Sequence, residues 1–219
     1  MRILSKSQIK TFMQCPRKWK YYYIDEIPSI ASPQQDRGSL VHKKIEEFYK
    51  DIPNQKYDED LKHFYAFELQ RLKDCSDLKF FYPVFQELKI TNDKLGMRGI
   101  IDAVYLNHKD HKLIIIDWKT GHFNINDLDD YRIELAVYKE LLEKSDKIKD
   151  VEVGWWGIYF TDQNKLFFEA VDTKYIKRMY QIVENIRKKI EEEDFRKKPS
   201  FWCRWCQFKD KCGGNNVNI

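Results

Sequence analysis

A mixed α/β fold, one sheet flanked by helices, is predicted by three observations. Three strand-like runs follow one another between residues 79 and 118, a helical stretch then interrupts the strands before two more arrive, and amphipathic helical segments lie at both ends. Ser5 with Gln8 reads as a capping box that starts a helix reaching about Ile24, followed by a loop with Pro28 and Pro33. A second helix holds Leu40 to Tyr49, with Leu40, Ile45, Phe48 and Tyr49 on its apolar side, and a third runs from about Asp58 to Cys75. The strand runs Lys79 to Thr91, Met97 to Leu106 and Lys112 to Trp118 are separated by the turn segments 92–96 and 107–111, so they form an antiparallel meander. A helix from about Asn126 to Lys144 supplies a crossover, and strand runs Val151 to Phe160 and Lys165 to Val171 return. A last helix spans Thr173 to Glu193. Trp155 and Trp156 are expected in the core, on opposite faces of a sheet covered on both sides.

A chain of 219 residues fits one domain with a good core, and no repeat or low-complexity tract divides it. No apolar run approaches a membrane span and the residues after Arg2 lack a signal-peptide core, so a soluble cytoplasmic protein with no membrane partner is expected. The net charge of +4 permits nucleic acid without demanding it. Local basic clusters say more. Arg17-Lys18-Trp19-Lys20-Tyr21 interleaves cations with aromatics, the composition that stacks single-stranded bases along a charged groove. The clusters 43–44, 187–189 and 196–198 read first as solvated helix faces. The phosphate-binding signature G-x-x-x-x-G-K-[ST] is absent, so no helicase motor is encoded.

The chemistry-bearing residues are Asp102, at the end of Gly99-Ile100-Ile101-Asp102, and Asp117 and Lys119, in Ile114-Ile115-Ile116-Asp117-Trp118-Lys119. Two-residue spacing puts Asp117 and Lys119 on one strand face. The second run is all apolar and therefore buried on both faces, where an unpaired carboxylate or ammonium is costly, so a buried ion pair or a function must explain them. Two carboxylates suit a hard cation, Mg²⁺ or Mn²⁺, and a neighbouring ammonium orients water or steadies charge on phosphorus. That set suits phosphodiester hydrolysis. His42, flanked by Leu40 and Val41, reads either as a satisfied core histidine or as a metal ligand, whereas the other four histidines read as surface residues. Glu87, in the preceding strand run, is an additional candidate for the same metal or a second one.

Of the five cysteines, Cys203, Cys206 and Cys212 cluster near one end and Cys15 lies near the other. Spacing supports a four-ligand site joining both ends, with structural Zn²⁺ and an iron–sulfur cluster both open. Cys75 reads as a small core residue.

The segments Gly38-Ser39-Leu40-Val41-His42, Gly99-x-x-Asp102 and Asp117-x-Lys119 resemble, in order and spacing, the motifs of the RecB-like branch of the PD-(D/E)XK nuclease superfamily. The opening residues 4–19 resemble that branch's first helix and cysteine, and Cys203-x2-Cys206-x5-Cys212 resembles its iron–sulfur trio. This resemblance implies a restriction-endonuclease-like αβββαβ core at roughly 79–171, with helices 1–78 and the segment 172–219 forming an iron–sulfur-clasped element of a single domain 1–219. It implies His42, Asp102, Asp117 and the Trp118 backbone carbonyl as metal ligands, and Cys15, Cys203, Cys206 and Cys212 around a [4Fe–4S] cluster. It further implies catalytic roles for Lys119, Glu134 and Tyr138 and a DNA contact from Tyr138, while the composition of 17–21 makes Arg17, Lys18 and Lys20 the further DNA-contact candidates. The expected activity is cleavage of DNA, single-stranded or from ends, in repair, recombination or CRISPR adaptation, beside a helicase- or integrase-type partner. One departure stands out: the family's glutamine-x3-tyrosine is Glu134-x3-Tyr138 here, one helical turn apart on a shared face. Two other readings remain open, a catalytically idle iron–sulfur DNA-binding or assembly module and a zinc-stapled interaction domain.

Overall fold

The computed structural model describes residues 2–29, 32–50, 52 and 58–213. Six strands form one mixed sheet: β1 (Leu4–Ser5), β2 (Phe85–Asn92), β3 (Met97–Leu106), β4 (Leu113–Lys119), β5 (Val153–Phe160) and β6 (Lys165–Ala170). Around it run α1 (Lys6–Gln14), α2 (Pro16–Tyr23), α3 (Pro33–Lys50), α4 (Lys62–Asp74), α5 (Leu78–Phe81), α6 (Leu128–Glu143) and α7 (Thr173–Glu191). The predicted mixed sheet with flanking helices is the one observed. β2, β3 and β4 are antiparallel, α6 crosses over to place β5 parallel to β4, and β6 returns antiparallel along β5.

Two hydrophobic layers sandwich the sheet. One packs Ile9 and Phe12 of α1, Trp19 of α2, Leu135 and Leu141 of α6 and Met179 and Val183 of α7. The other packs Val41 and Ile45 of α3, Phe64 of α4 and Phe81 of α5 against Ile116, Trp118 and Tyr159. Among the described residues no helix is long and apolar enough to cross a membrane.

The elements depart from expectation at identifiable places. The first helix is two helices: Cys15 is extended (φ −163°, ψ 112°) because Pro16 behind it disfavours a helical conformation. The run expected as strand from Lys79 begins as α5, and the strand starts only at Phe85, past Pro83. Pro33 opens α3 instead of lying in a loop, as a proline can at a first helical position. Trp156 is fully buried, but Trp155 is half-buried, stacked on Phe168 of the edge strand at 5.4 Å and donating to Asp110. β1 is too short to be read from sequence. It pairs parallel with Met97 and Arg98 of β3 and so delivers α1 to the sheet.

β3 and β4 pair from Leu106↔Leu113 to Ala103↔Ile116 and then part. β1 takes up the far end of the same β3 edge. At the parting point the Asp102 carboxylate accepts the Trp118 N–H at 2.7 Å, so a side chain replaces the ladder bond. The sequence therefore opens a gap in the sheet at Asp102 and Asp117.

Candidate active site

On β3, Met97 and Ile101 face the α6 layer, yet so do Val104 and Leu106, while Ala103 and Tyr105 face α3. Facing parity thus changes at Asp102. The same change occurs on β2, where Phe85 faces α6 together with Leu88 and Ile90. It falls at Glu87, which adopts φ 44° inside a strand. A glutamate in this left-handed region is strained, and such strain persists only where the surroundings impose it. Glu87 and Asp102 fall at the break in the β2–β3 pairing between Gln86↔Ala103 and Leu88↔Ile101.

His42 reaches the gap from α3, whose Val41 and Ile45 anchor in the core. Its Nε2 lies 3.0 Å from the Trp118 carbonyl oxygen. Its Nδ1 lies 3.5 Å from both Glu87 Oε1 and Asp102 Oδ1. Ligand atoms of His42, Glu87 and Asp102 all fall within 4.8 Å of one another, and this is the one such group among the described residues. Burial alone would lower the imidazole pKa, but Asp102 and Glu87 outweigh it and push it up to about 10. Asp102 moves the other way from a salt-bridged acid: burial and the nearby Asp117 raise its pKa.

Asp117 falls outside that trio. β4 alternation turns it with Lys119 toward α1 and α6. Lys6 Nζ lies 3.1 Å from its Oδ1 and Lys119 Nζ 2.5 Å from its Oδ2. Oδ2, though in this ion pair, is buried and accepts no well-aligned hydrogen bond. Glu134, from α6, meets three lysines, Lys10 at 2.6 Å, Lys119 at 3.4 Å and Lys6 at 3.5 Å. Burial would raise the pKa of Asp117 and Glu134, but the lysines lower both. Burial would lower Lys119, but Asp117 and Glu134 hold its pKa above the ordinary lysine value. Lys6 is raised in the same way by Asp117, Glu134 and Asp102.

Tyr138 is buried one turn beyond Glu134, with Lys6 Nζ 4.9 Å from its ring centre. Its ring packs against the α-carbon of Gly99, where any β-carbon would come within 3.1 Å of it. A side chain at position 99 would therefore press on Tyr138 and Leu141. Arg37, five residues before His42, makes a two-pronged pair with Asp162 (2.8 and 2.7 Å). Asp162 also accepts the Gly121 N–H, which docks α3 on the loop after β4.

Lys6 and Lys10 had no role in the sequence reading. Their signal was present, two lysines four apart behind the Ser5 cap, but what they face is set by the two-residue β1. The stacking expected of Trp19 and Tyr21 is overturned. Trp19 is fully buried and stacked on Phe195 at 5.8 Å, Tyr21 packs on Phe208, and Lys20 pairs with Asp25.

Arg17 and Lys18 line a cavity of about 410 Å³ that also contacts Lys6, Lys10 and Glu134. Cys15, Cys203, Cys206 and Cys212 line the same cavity, each partly buried and unbridged. Lys198 donates to the Met13 carbonyl at 2.9 Å, so the two ends of the described chain meet there. Cys75 lies apart, packed beside the α3–α4 layer with its Sγ donating to the Asp77 carbonyl.

A family model described as the PD-(D/E)XK nuclease superfamily matches residues 3–79 and 57–213, nearly the whole chain. Among solved structures, the crystal structure of SSO0001 is similar at a TM-score of 0.51 and 14% identity, covering 98% of this chain and 87% of that one. LHK-Exo, crystallised in complex with dAMP, reaches 0.49 at 11% identity, covering 87% and 88%. At these identities the likeness is one of fold. No curated protein matches the chain.

Proposed function

Because the chain belongs to the PD-(D/E)XK nuclease superfamily, we propose that it is a Mg²⁺- or Mn²⁺-dependent DNase of the RecB-like, iron–sulfur type, acting on single-stranded DNA or DNA ends. The observation that carries this reading is the gap between β3 and β4. On one side lie an imidazole, two carboxylates and a backbone carbonyl, and on the other a carboxylate–lysine network.

The donor set fits a hard cation. His42, Asp102, Glu87 and the Trp118 carbonyl would hold it, with Asp117 as the neighbouring carboxylate of the motif. Bound there, the cation supplies Lewis-acid polarisation and charge at the phosphoryl oxygens. Lys119, protonated beside Asp117 and Glu134, orients the attacking water and stabilises negative charge developing on the phosphoryl group. It is not the general base, because those same acids hold its proton. Lys6 and Lys10 balance Asp117 and Glu134, so DNA phosphate approaches without meeting net negative charge. Tyr138, too buried to offer DNA a face, positions Lys6 through its ring. Arg17, Lys18 and Lys20 supply cations for the DNA backbone.

The cysteine quartet lines one cavity, which suits a shared metal site, and the resemblance to the iron–sulfur branch favours a [4Fe–4S] cluster over structural zinc. The cluster would tie residues 1–78 to 172–219 around the core 79–171 in a single domain, and a helicase- or integrase-type partner would supply unwinding or integration in repair, recombination or CRISPR adaptation. The idle-module reading is disfavoured by the presence of Asp102, Asp117 and Lys119 together.

The test is degradation of end-labelled linear and circular single-stranded DNA by anaerobically purified protein. Cleavage with Mg²⁺ or Mn²⁺, abolished by EDTA and by Lys119→Ala in a folded protein, is expected. Full activity in Lys119→Ala would sink the mechanism, and stoichiometric zinc in place of about four irons per chain would overturn the cluster.

A further inference from the structure

Among the described residues the three most exposed aromatics lie together in one place that the proposed chemistry does not use. Phe201, Trp202 and Trp205, on the short helical turn 201–205, are 54%, 71% and 64% exposed. Their rings touch one another, Phe201–Trp205 at 4.7 Å and Trp202–Trp205 at 6.0 Å between centres. A soluble surface does not normally leave three large rings in water as one patch, so the patch needs an occupant.

Charge selects the occupant. Residues 196–211 contain six lysines and arginines against one acid, Asp210. The Arg204 guanidinium lies 5.3 Å from the Phe201 ring centre. Cations interleaved with exposed ring faces match a strand that offers phosphates and bases in alternation, and every base has a face to stack. Position agrees with charge, because Trp202 lines the same cavity that contacts Lys6, Lys10 and Glu134 beside the candidate active site. The turn is also held in shape: Ser200 and Cys203 cap it reciprocally.

We propose that Phe201, Trp202 and Trp205 form a stacking platform for unpaired bases of the DNA at the mouth of this cavity, outside its cysteine-lined part, and direct the strand across the cavity's Lys6 and Lys10 toward Asp117 and Lys119. The proposal rests on the nuclease reading for its substrate, and adds a site that selects single strands over closed duplex. The sequence-based expectation of an aromatic–cationic contact thus belongs to this segment, not to Arg17–Tyr21, whose rings are buried.

The experiment titrates full-length, cluster-loaded protein with a fluorescein-labelled oligo(dT) in EDTA, so that no cleavage interferes, and with a blunt duplex of equal length. Trp202→Ala/Trp205→Ala should bind oligo(dT) about 25-fold or more weakly, the loss expected for two unstacked bases, and should lose the tryptophan quenching that wild type displays. Duplex affinity should change little. Trp202→Phe/Trp205→Phe keeps the ring faces and should recover most of the affinity. Iron content and melting temperature equal to wild type establish that the loss is not unfolding, and the Phe variant decides the matter if the Ala variant fails to fold. Hydrolysis of thymidine 5′-p-nitrophenyl phosphate, which has no strand to stack, should be unchanged. Oligo(dT) affinity equal to wild type in the Ala variant, or equal losses on duplex, would overturn the platform and leave the patch as a protein contact. Tryptophan-dependent oligo(dT) binding without hydrolysis of either substrate by wild type would instead uphold the platform while defeating the nuclease reading.

Discussion

The two sides of the gap between β3 and β4 each present two acids, Asp117 and Glu134 on one and Asp102 and the half-buried Glu87 on the other, but treat the buried ones oppositely. Asp117 and Glu134 are surrounded by Lys6, Lys10 and Lys119, and their pKa values fall. Asp102 has His42 beside it and also feels Lys6, but burial and Asp117 outweigh both and its pKa rises. Burying a carboxylate without a matching cation is expensive, so the first side is complete as the chain folds and the second is short of positive charge. The difference supports the proposed place of an external cation, with His42, Glu87 and Asp102, the group whose ligand atoms could hold a metal ion. It also divides labour, since the balanced side keeps its lysines charged for chemistry.

The largest effect that would sharpen this comparison is a split between cleavage and metal affinity. Lys119→Ala should lower the cleavage rate by about 10²–10³-fold, the scale of losing one stabilising donor, while leaving Mn²⁺ affinity near wild type. Asp102→Asn should lose both. Isothermal titration with Mn²⁺ beside the cleavage assay reads the two quantities, and equal loss of metal affinity in both variants would erase the distinction between the sides.

Next in size is Lys6→Met, which strips the balanced side of a shared cation. Removing one partner of a buried ion pair costs about 3–5 kcal/mol. The side chain of Lys6 is 21% exposed and those of its partners 3% and 7%, so solvent recovers little of that loss. A urea denaturation midpoint close to wild type would mean that Asp117 and Glu134 are compensated elsewhere.

These lysines also mark the limit of what sequence reveals. Asp102, Asp117 and Lys119 were legible because apolar strand runs make a buried charge conspicuous and a two-residue period fixes its face. Glu134 and Tyr138 were legible only through the family's helix motif, helical spacing adding that they share a face. Lys6 and Lys10 were not, because their partners are more than a hundred residues away and the connection is made by two residues of strand. The parity change at Glu87 and Asp102 was equally hidden, since regular alternation is the assumption by which strands are read. Trp19 misled for a related reason: composition was aromatic and basic, but Phe195, far along the chain, covers the ring. Cys15 was legible as a ligand candidate, while the elbow that presents it follows from Pro16, a local signal that was available.

A smaller effect is expected at the junction of the motifs. Gly99→Ala forces a β-carbon within 3.1 Å of the Tyr138 and Leu141 side chains. Overpacking of this kind costs about 1–3 kcal/mol. Because Tyr138 carries Lys6 on its ring, cleavage should fall along with melting temperature, and a drop in stability alone would show that Tyr138 only fills space.

The smallest effect concerns how α3 brings His42 to the gap. The Asp162 pKa is lowered, chiefly by the Arg37 hydrogen bond, then against burial by the Gly121 N–H. A depressed carboxylate stabilises the fold above its unfolded pKa of about 4, and that contribution disappears as pH falls through the lower folded value. Arg37 is 44% exposed, so solvent screens the pair and about 0.2–1 kcal/mol is expected. Asp162→Asn should therefore narrow the stability difference between pH 7 and pH 3, read from urea midpoints, and an unchanged profile would show that α3 is docked by its core residues alone.

The position of the cation decides how labour is divided across the gap. A crystal soaked with Mn²⁺ and measured at the manganese edge locates it directly. The predicted anomalous peak lies between His42, Glu87, Asp102 and the Trp118 carbonyl, with Lys119 still paired to Asp117. A peak among Asp117 and Glu134 remote from His42, or none beside His42 in a crystal saturated with Mn²⁺, would contradict this division.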